Sequence, residues 1–123
     1  MRYYYQEVLE LATHCGGLDV PVMWSDIETY HDWSEGVTIP DVVEVLALVD
    51  EAAKAGMQAG FYSSPPMWRL AGNPPVGPDA WGWCANYTQT PPTTLAAATP
   101  FGGLKMVGHQ FTSTPLDQNV FIL

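Results

Sequence analysis

Two acidic residues, Asp26 and Glu28, close an apolar run that reads Pro21-Val22-Met23-Trp24-Ser25-Asp26-Ile27-Glu28. In a β-strand, side chains alternate between faces, so residues two apart point the same way. The two carboxyl groups then project from one side of the strand, with Cα atoms roughly 7 Å apart. At that range each shifts the other's pKa. Such a pair can hold one proton donor and one anion at neutral pH, the pairing that acid/base chemistry on a sugar requires. Glu28, flanked by Trp24 and Tyr30, is the candidate general acid, and Asp26 the candidate anion.

The elements that must position this pair follow from hydrophobic period and turn residues. Residues 2–15 carry Tyr4, Tyr5, Val8, Leu9, Leu11 and Ala12 at mostly helical spacing, ended by Gly16-Gly17. Residues 19–28 read as a buried strand and 30–37 as a polar loop. Thr38 with Asp41 three residues on, and Pro40 between them, predicts a helix start resembling a capping box. Val42, Val43, Val45, Leu46, Leu48, Val49, Ala52 and Ala53 give that helix a wide apolar face, and Gly56 closes it. Strands are predicted over 57–63, 81–87, 104–112 and 116–122. A Pro-rich loop over 64–78 separates the first two, with Trp68 at a cleft rim and room for a short helical turn. Residues 88–103 read as loop with weak helix.

Strand, helix, strand in that order favours parallel pairing, and apolar runs without strict alternation favour strands covered on both sides. The predicted fold is α/β: a partial (β/α) TIM-like barrel, the C-terminal strands of an irregular barrel, in one domain over residues 1–123.

Composition narrows the partners. The 123 residues carry 13 acidic and 4 basic side chains, a formal net charge of −9. Phosphate contacts need Lys and Arg, so this charge disfavours nucleic acid and anionic membrane surfaces as partners, and a neutral glycan fits better. No apolar run is long enough to span a membrane. Tyr3-Tyr4-Tyr5-Gln6-Glu7 stands where a signal peptide would have its apolar core, so synthesis in the cytoplasm without a signal peptide is expected. Cys84 sits in an apolar run and reads as a buried thiol, with a disulfide to Cys15 left open. His14, His31 and His109 fit no compact ligand spacing, and Asp26, Glu28 and His31 make a weak case for a metal. Neither a metal nor another cofactor is expected. Gly-x-Ser-x-Gly is absent, and Gly102-Gly103 lacks a phosphate-loop pattern.

Four segments, in order, resemble one known family. Asp26-Ile27-Glu28-Thr29 after an apolar strand resembles the Asp-x-Glu motif of glycoside hydrolase family 25, the lysozymes and phage endolysins that act as N-acetylmuramidases. Ala59-Gly60-Phe61-Tyr62-Ser63 resembles the strand that often ends in Tyr-Ser, and Trp83-Cys84-Ala85-Asn86-Tyr87 the Trp-x-Ala-x-Tyr strand. His109-Gln110-Phe111-Thr112-Ser113-Thr114 and Leu116-Asp117-Gln118-Asn119-Val120-Phe121 resemble the closing pair of segments. His109 and Phe111 depart from the family's usual Trp and Tyr. The family's first three strands, and the Asp on the first of them, find no counterpart here, so the resemblance implies the C-terminal part of the domain.

The resemblance implies cleavage of the β-1,4 bond between N-acetylmuramic acid and N-acetylglucosamine in bacterial peptidoglycan, with endolysin-like release to the cell wall. It gives Glu28 the acid role, and Asp26 that of orienting the 2-acetamido group or stabilising positive charge. Asp117 matches a third carboxylate, supported by Asn119. Its plain alternative is a turn residue after Pro115. Tyr62, Trp83, Tyr87 and Gln110 are the remaining candidate substrate-binding residues, because flat rings pack on sugar faces and phenols add hydrogen bonds. One of Trp81 and Trp83 is assigned to the core. A truncated, inactive remnant or a glycan-binding module is the alternative function. A partial barrel further implies self-association or a complementing N-terminal half.

Overall fold

A computed structural model of the chain describes residues 22–28, 39–91 and 93–122. The helix expected over 2–15, the start of the 19–28 strand, the 30–37 loop, Thr38, Cys15, His14 and His31 lie outside the described residues.

Among the described residues, five strands form one sheet whose spatial order is the chain order. They are β1 (Val22–Asp26), β2 (Gln58–Ser63), β3 (Trp81–Ala85), β4 (Lys105–Thr112) and β5 (Gln118–Phe121). The first four pair in parallel, and β5 runs antiparallel to β4. Two helices, α1 (Val42–Lys54) and α2 (Pro65–Leu70), follow β1 and β2. The fold is therefore mixed α/β, and β1–α1–β2 is the expected parallel unit.

Helix α1 starts later than predicted. Asp41, not Thr38, is its N-cap. The Asp41 carboxylate accepts from the Glu44 N–H at 2.9 Å, and the Glu44 carboxylate accepts from the Asp41 N–H at 2.9 Å. That reciprocal box satisfies two otherwise unpaired amides, and it leaves Pro40 outside the helix. Gly56, at φ 68°, ends the helix in a conformation that favours glycine. The predicted apolar face is narrower in fact. Val45, Leu48 and Ala52 are buried, whereas Val43 is 74% exposed.

Beneath the sheet, the core is built by Phe61 and Cys84 from the strands and by Ile27 just after β1 and Leu104 just before β4, with α1 and Trp68. Cys84 is buried as expected, its thiol free, and burial pushes that thiol up. Trp68 corrects the rim assignment, being only 1% exposed. Helix α2 turns its ring edge-on to Phe61 at 5.6 Å and against Phe101 at 4.9 Å. The Pro-rich loop supplies the carbonyl of Pro74, which accepts the indole N–H at 3.1 Å. An indole is buried readily when its one donor is satisfied, and this loop satisfies it.

A second correction concerns β3. Neither Trp81 nor Trp83 is core; both are half-buried, while Gly82 and Cys84 between and beyond them are buried. Alternation along the strand sends both indoles to the opposite face. Within 88–103 no helix is present among the described residues. No helix among the described residues is long and apolar enough to cross a membrane.

Candidate active site

Asp26 is the last residue of β1, and Glu28 lies two residues beyond it. Ile27 between them is 1% exposed and packs in the core, so alternation continues past the end of the strand. Two contacts hold that extension. The Ile27 N–H donates to the Tyr62 carbonyl at 2.9 Å, and the buried Ser63 hydroxyl donates to the Ile27 carbonyl at 2.7 Å. With Ile27 pinned inward, Asp26 and Glu28 both line a cleft of about 370 Å³ on the other face. Asp117, immediately before β5, reaches the same cleft because β5 runs backwards against β4.

Two of the carboxyl groups in this hollow, Asp26 and Glu28, bind protons more tightly than an ordinary carboxyl. Asp26 is pushed up to about 7, by burial first and by the Glu28 charge second. Glu28 is also raised, by burial first and by Asp117 second. The strongest upward push thus falls on Asp26, the residue expected to be the anion. Near neutral pH Asp26 stands close to its midpoint, so this carboxyl is partly protonated and can give or take a proton.

An aromatic wall adjoins the acids. Trp83 meets Tyr62 edge-on at 4.7 Å and Trp24 at 5.7 Å. Phe121 of β5 lies 5.2 Å from Trp83. These rings lie over glycines. A Cβ on Gly60 would come within 2.6 Å of the Trp24 ring, and one on Gly108 within 2.5 Å of Phe121. Glycine at both positions is what lets flat rings settle onto the sheet. The Tyr62 phenol donates to Gln110 Oε1, and the Trp83 indole N–H donates to Asn119 Oδ1 at 2.9 Å. The Tyr62 phenol is raised by burial, then by the neighbouring phenol of Tyr87.

The structure brings together Asp26, Glu28, Asp117, Tyr62, Trp83, Gln110 and Asn119 from the candidates. Tyr87 stands apart. It is 50% exposed beside the Tyr62 phenol and does not line the cleft. Trp24 was not among the candidates, yet it lines the cleft. The i, i+2, i+4 spacing of Trp24, Asp26 and Glu28 carries that signal, since all three share a strand face. His109 lies outside the cleft, fully buried. Its Nε2–H donates to the Asn86 carbonyl at 2.6 Å, since a carbonyl can only accept. Among the described residues no group of three or more His, Cys, Asp and Glu side chains is placed to hold a metal ion.

Comparison with family models, with curated proteins and with solved structures finds no match for this chain.

Proposed function

We propose that this chain is a glycoside hydrolase of the muramidase type, cutting the β-1,4 bond between N-acetylmuramic acid and N-acetylglucosamine in peptidoglycan. The observation that carries the reading is the convergence of Asp26, Glu28 and Asp117 in a cleft walled by Trp24, Tyr62 and Trp83. The sugar identity rests on the motif resemblance to glycoside hydrolase family 25. The same resemblance supports reading the curled, mostly parallel sheet as the C-terminal strands of a TIM-like barrel.

In this mechanism a sugar ring packs on the aromatic wall, and Glu28 protonates the departing glycosidic oxygen. The bond to the anomeric carbon breaks with its electron pair on that oxygen. Positive charge develops on the sugar, and Asp26 and Asp117 stabilise it electrostatically. An acetamido N–H donated to Asp26 favours the Asp26 anion, which leaves the proton of the cluster on Glu28. Glu28, now a carboxylate, then takes a proton from the water that completes hydrolysis. No step calls for a cofactor.

A second reading is glycan binding without cleavage. The aromatic wall favours it, because Trp24, Tyr62, Trp83 and Phe121 can grip a sugar with no help from an acid. One comparison separates the two: lysis of bacterial walls, by turbidity and zymogram, with the natural chain and with Glu28→Gln. Hydrolysis predicts lysis by the first and none by the second at equal folding. Binding alone predicts wall retention by both and lysis by neither. Equal lysis by both would remove Glu28 from the mechanism.

A further inference from the structure

We infer that His109 is a positioning residue for the cleft: from the far face of the sheet its imidazole holds Asn86, and through Asn86 it sets Tyr87 and Tyr62 in place beside the sugar site. The inference rests on the glycan reading above and adds a residue that the cleft does not contain. His109 is also one of the two departures from the family the motifs resemble, so the role belongs to this chain. The β3–β4 ladder ends where Ala85 stands opposite Gln110. Beyond it the chain still runs along β4, with the Asn86 N–H donating to the Gln110 carbonyl at 3.0 Å and the Gln89 N–H to the Phe111 carbonyl at 2.9 Å. Among the described residues no β4 amide reaches the Asn86 carbonyl. It accepts the Thr88 N–H at 2.9 Å and the His109 Nε2–H at 2.6 Å, so an imidazole takes the place of a ladder donor.

His109 is 0% exposed, and its Nδ1, a bare acceptor while Nε2 carries the proton, meets no donor among the described residues. A buried acceptor left unmet is destabilising, and an apolar side chain would fill the same space without one. What an apolar side chain could not supply is the donor to Asn86. That carbonyl matters because of the residue after it. A peptide carbonyl and the next Cα share one plane, so fixing the Asn86 carbonyl fixes the direction in which Tyr87 leaves the chain. Tyr87 is 50% exposed, so packing alone does not hold it, yet its phenol meets the Tyr62 phenol. Tyr62 in turn donates to Gln110 Oε1 and meets Trp83 edge-on at 4.7 Å, and all three line the cleft. Gln110 faces the cleft, and alternation sends His109, its chain neighbour, to the other face. Two consecutive residues of β4 therefore grip the β3 extension from both sides of the sheet, His109 at its backbone and Gln110 through the phenol that Tyr87 meets.

Three substitutions at one position separate reach from bulk. His109→Gln places an amide nitrogen where Nε2 stands, His109→Asn stops short at Nδ1, and His109→Phe has no donor. Each whole chain is read for folding by circular dichroism, for binding of tri-N-acetylchitotriose by tryptophan fluorescence, and for the 13C shift of the Tyr62 ring carbon that bears the hydroxyl. His109→Phe and His109→Asn are expected to weaken binding by about tenfold, the scale of one lost hydrogen bond, and to move the Tyr62 signal as Tyr87→Phe moves it. His109→Gln is expected to restore both, with affinity within about threefold of the natural chain. Val107→Ala, at an equally buried position of β4, is the control for lost packing: it lowers stability, leaves binding within about twofold and leaves the Tyr62 signal unmoved. Full affinity and an unmoved Tyr62 signal in folded His109→Phe overturn the inference. An equal loss in Val107→Ala, or in folded His109→Gln, overturns it too. Failure of both His109→Phe and His109→Asn to fold makes His109 a residue of the core alone and also overturns it. If the natural chain binds no sugar, the glycan reading falls, and the Tyr62 signal still decides whether His109 positions that phenol.

Discussion

Glu28→Gln removes one negative charge from beside Asp26 at constant side-chain length, so the Asp26 carboxyl must respond. Asp26 stands at about 7 against 3.8 for an ordinary carboxyl, through burial first and the Glu28 charge second. Because burial is the larger part, Glu28 supplies less than half of that rise. A Coulomb estimate agrees: two charges roughly 7 Å apart, at an effective dielectric of about 40 for a half-exposed cleft, interact by about 1.2 kcal/mol, which is about one pH unit. The Asp26 midpoint in Glu28→Gln is therefore expected to fall by about one pH unit and to stay above the ordinary range, since burial is untouched. The measurement is the 13C chemical shift of the Asp26 carboxyl, followed from about pH 3 to about pH 9. A companion variant tests the direction of the coupling. Asp117→Asn should lower the Glu28 midpoint, since Asp117 is the charge that raises it. An Asp26 midpoint that stays put, or rises, in Glu28→Gln would refute the shared hollow and the acid/base reading built on it.

The raised proton affinity of Asp26 also makes stability depend on pH. A carboxyl whose pKa is higher folded than unfolded binds its proton more tightly in the native state. Its contribution is complete below pH 3.8 and is lost as pH rises through about 7. Melting temperatures of the natural chain should therefore decline across that window, and Asp26→Asn should flatten the decline and melt higher above it. Ser63→Ala removes the buried hydroxyl that holds the Ile27 carbonyl, at an expected cost of about 1–2 kcal/mol in urea denaturation, with weaker wall lysis because the Glu28 backbone loses its anchor. Trp68→Ala empties the centre of the core and should cost about 3–5 kcal/mol, seen as an early midpoint in the same experiment. Gly60→Ala drives a methyl group into the Trp24 ring and should cost about 1–3 kcal/mol, with a changed tryptophan emission maximum reporting the displaced wall.

Much of this was legible from residue order, and the failures have physical causes. Period-2 alternation placed Asp26 and Glu28 on one face, and it needs no tertiary information. The β1–α1–β2 unit followed from an apolar run, an amphipathic helix and a second apolar run. The rim assignment of Trp68 failed because a Pro-rich loop usually lies at the surface, whereas here Pro65 starts a helix that turns the indole under Phe61. The α1 cap was misplaced because two capping patterns overlap at 38–44, and only the reciprocal hydrogen bonds of Asp41 and Glu44 separate them. The assignment of one β3 indole to the core overlooked that Trp81 and Trp83 are two apart and so must share a face. The orientation of the Gln110 and Asn119 amides was beyond the sequence, since it depends on which aromatic donor each one meets.

Curvature of the sheet turns these separate residues into a site. Among the described residues, β1 and β5 are the two edges of a five-stranded sheet. In a flat sheet four strand spacings would hold them roughly 19 Å apart, with side chains parallel and out of reach. Yet the Trp24 ring of β1 and the Phe121 ring of β5 have centroids 6.1 Å apart, and Asp117 before β5 raises the pKa of Glu28 after β1. The sheet must therefore curl strongly toward its aromatic face. Direction matters as much as curl. Asp26 ends β1 and Tyr62 is next to last in β2, so the cleft lies toward the C-terminal ends of the parallel strands. A parallel β5 would bring its last residues to that end and carry Asp117 away by roughly 10 Å or more. Antiparallel pairing instead sets Asn119 opposite Gln110 and Gln118 opposite Thr112, so the residue just before the strand arrives among the acids. Asp117 and Asn119, two residues apart, then share a face, and one reversed strand delivers both a carboxylate and a carboxamide to the same hollow.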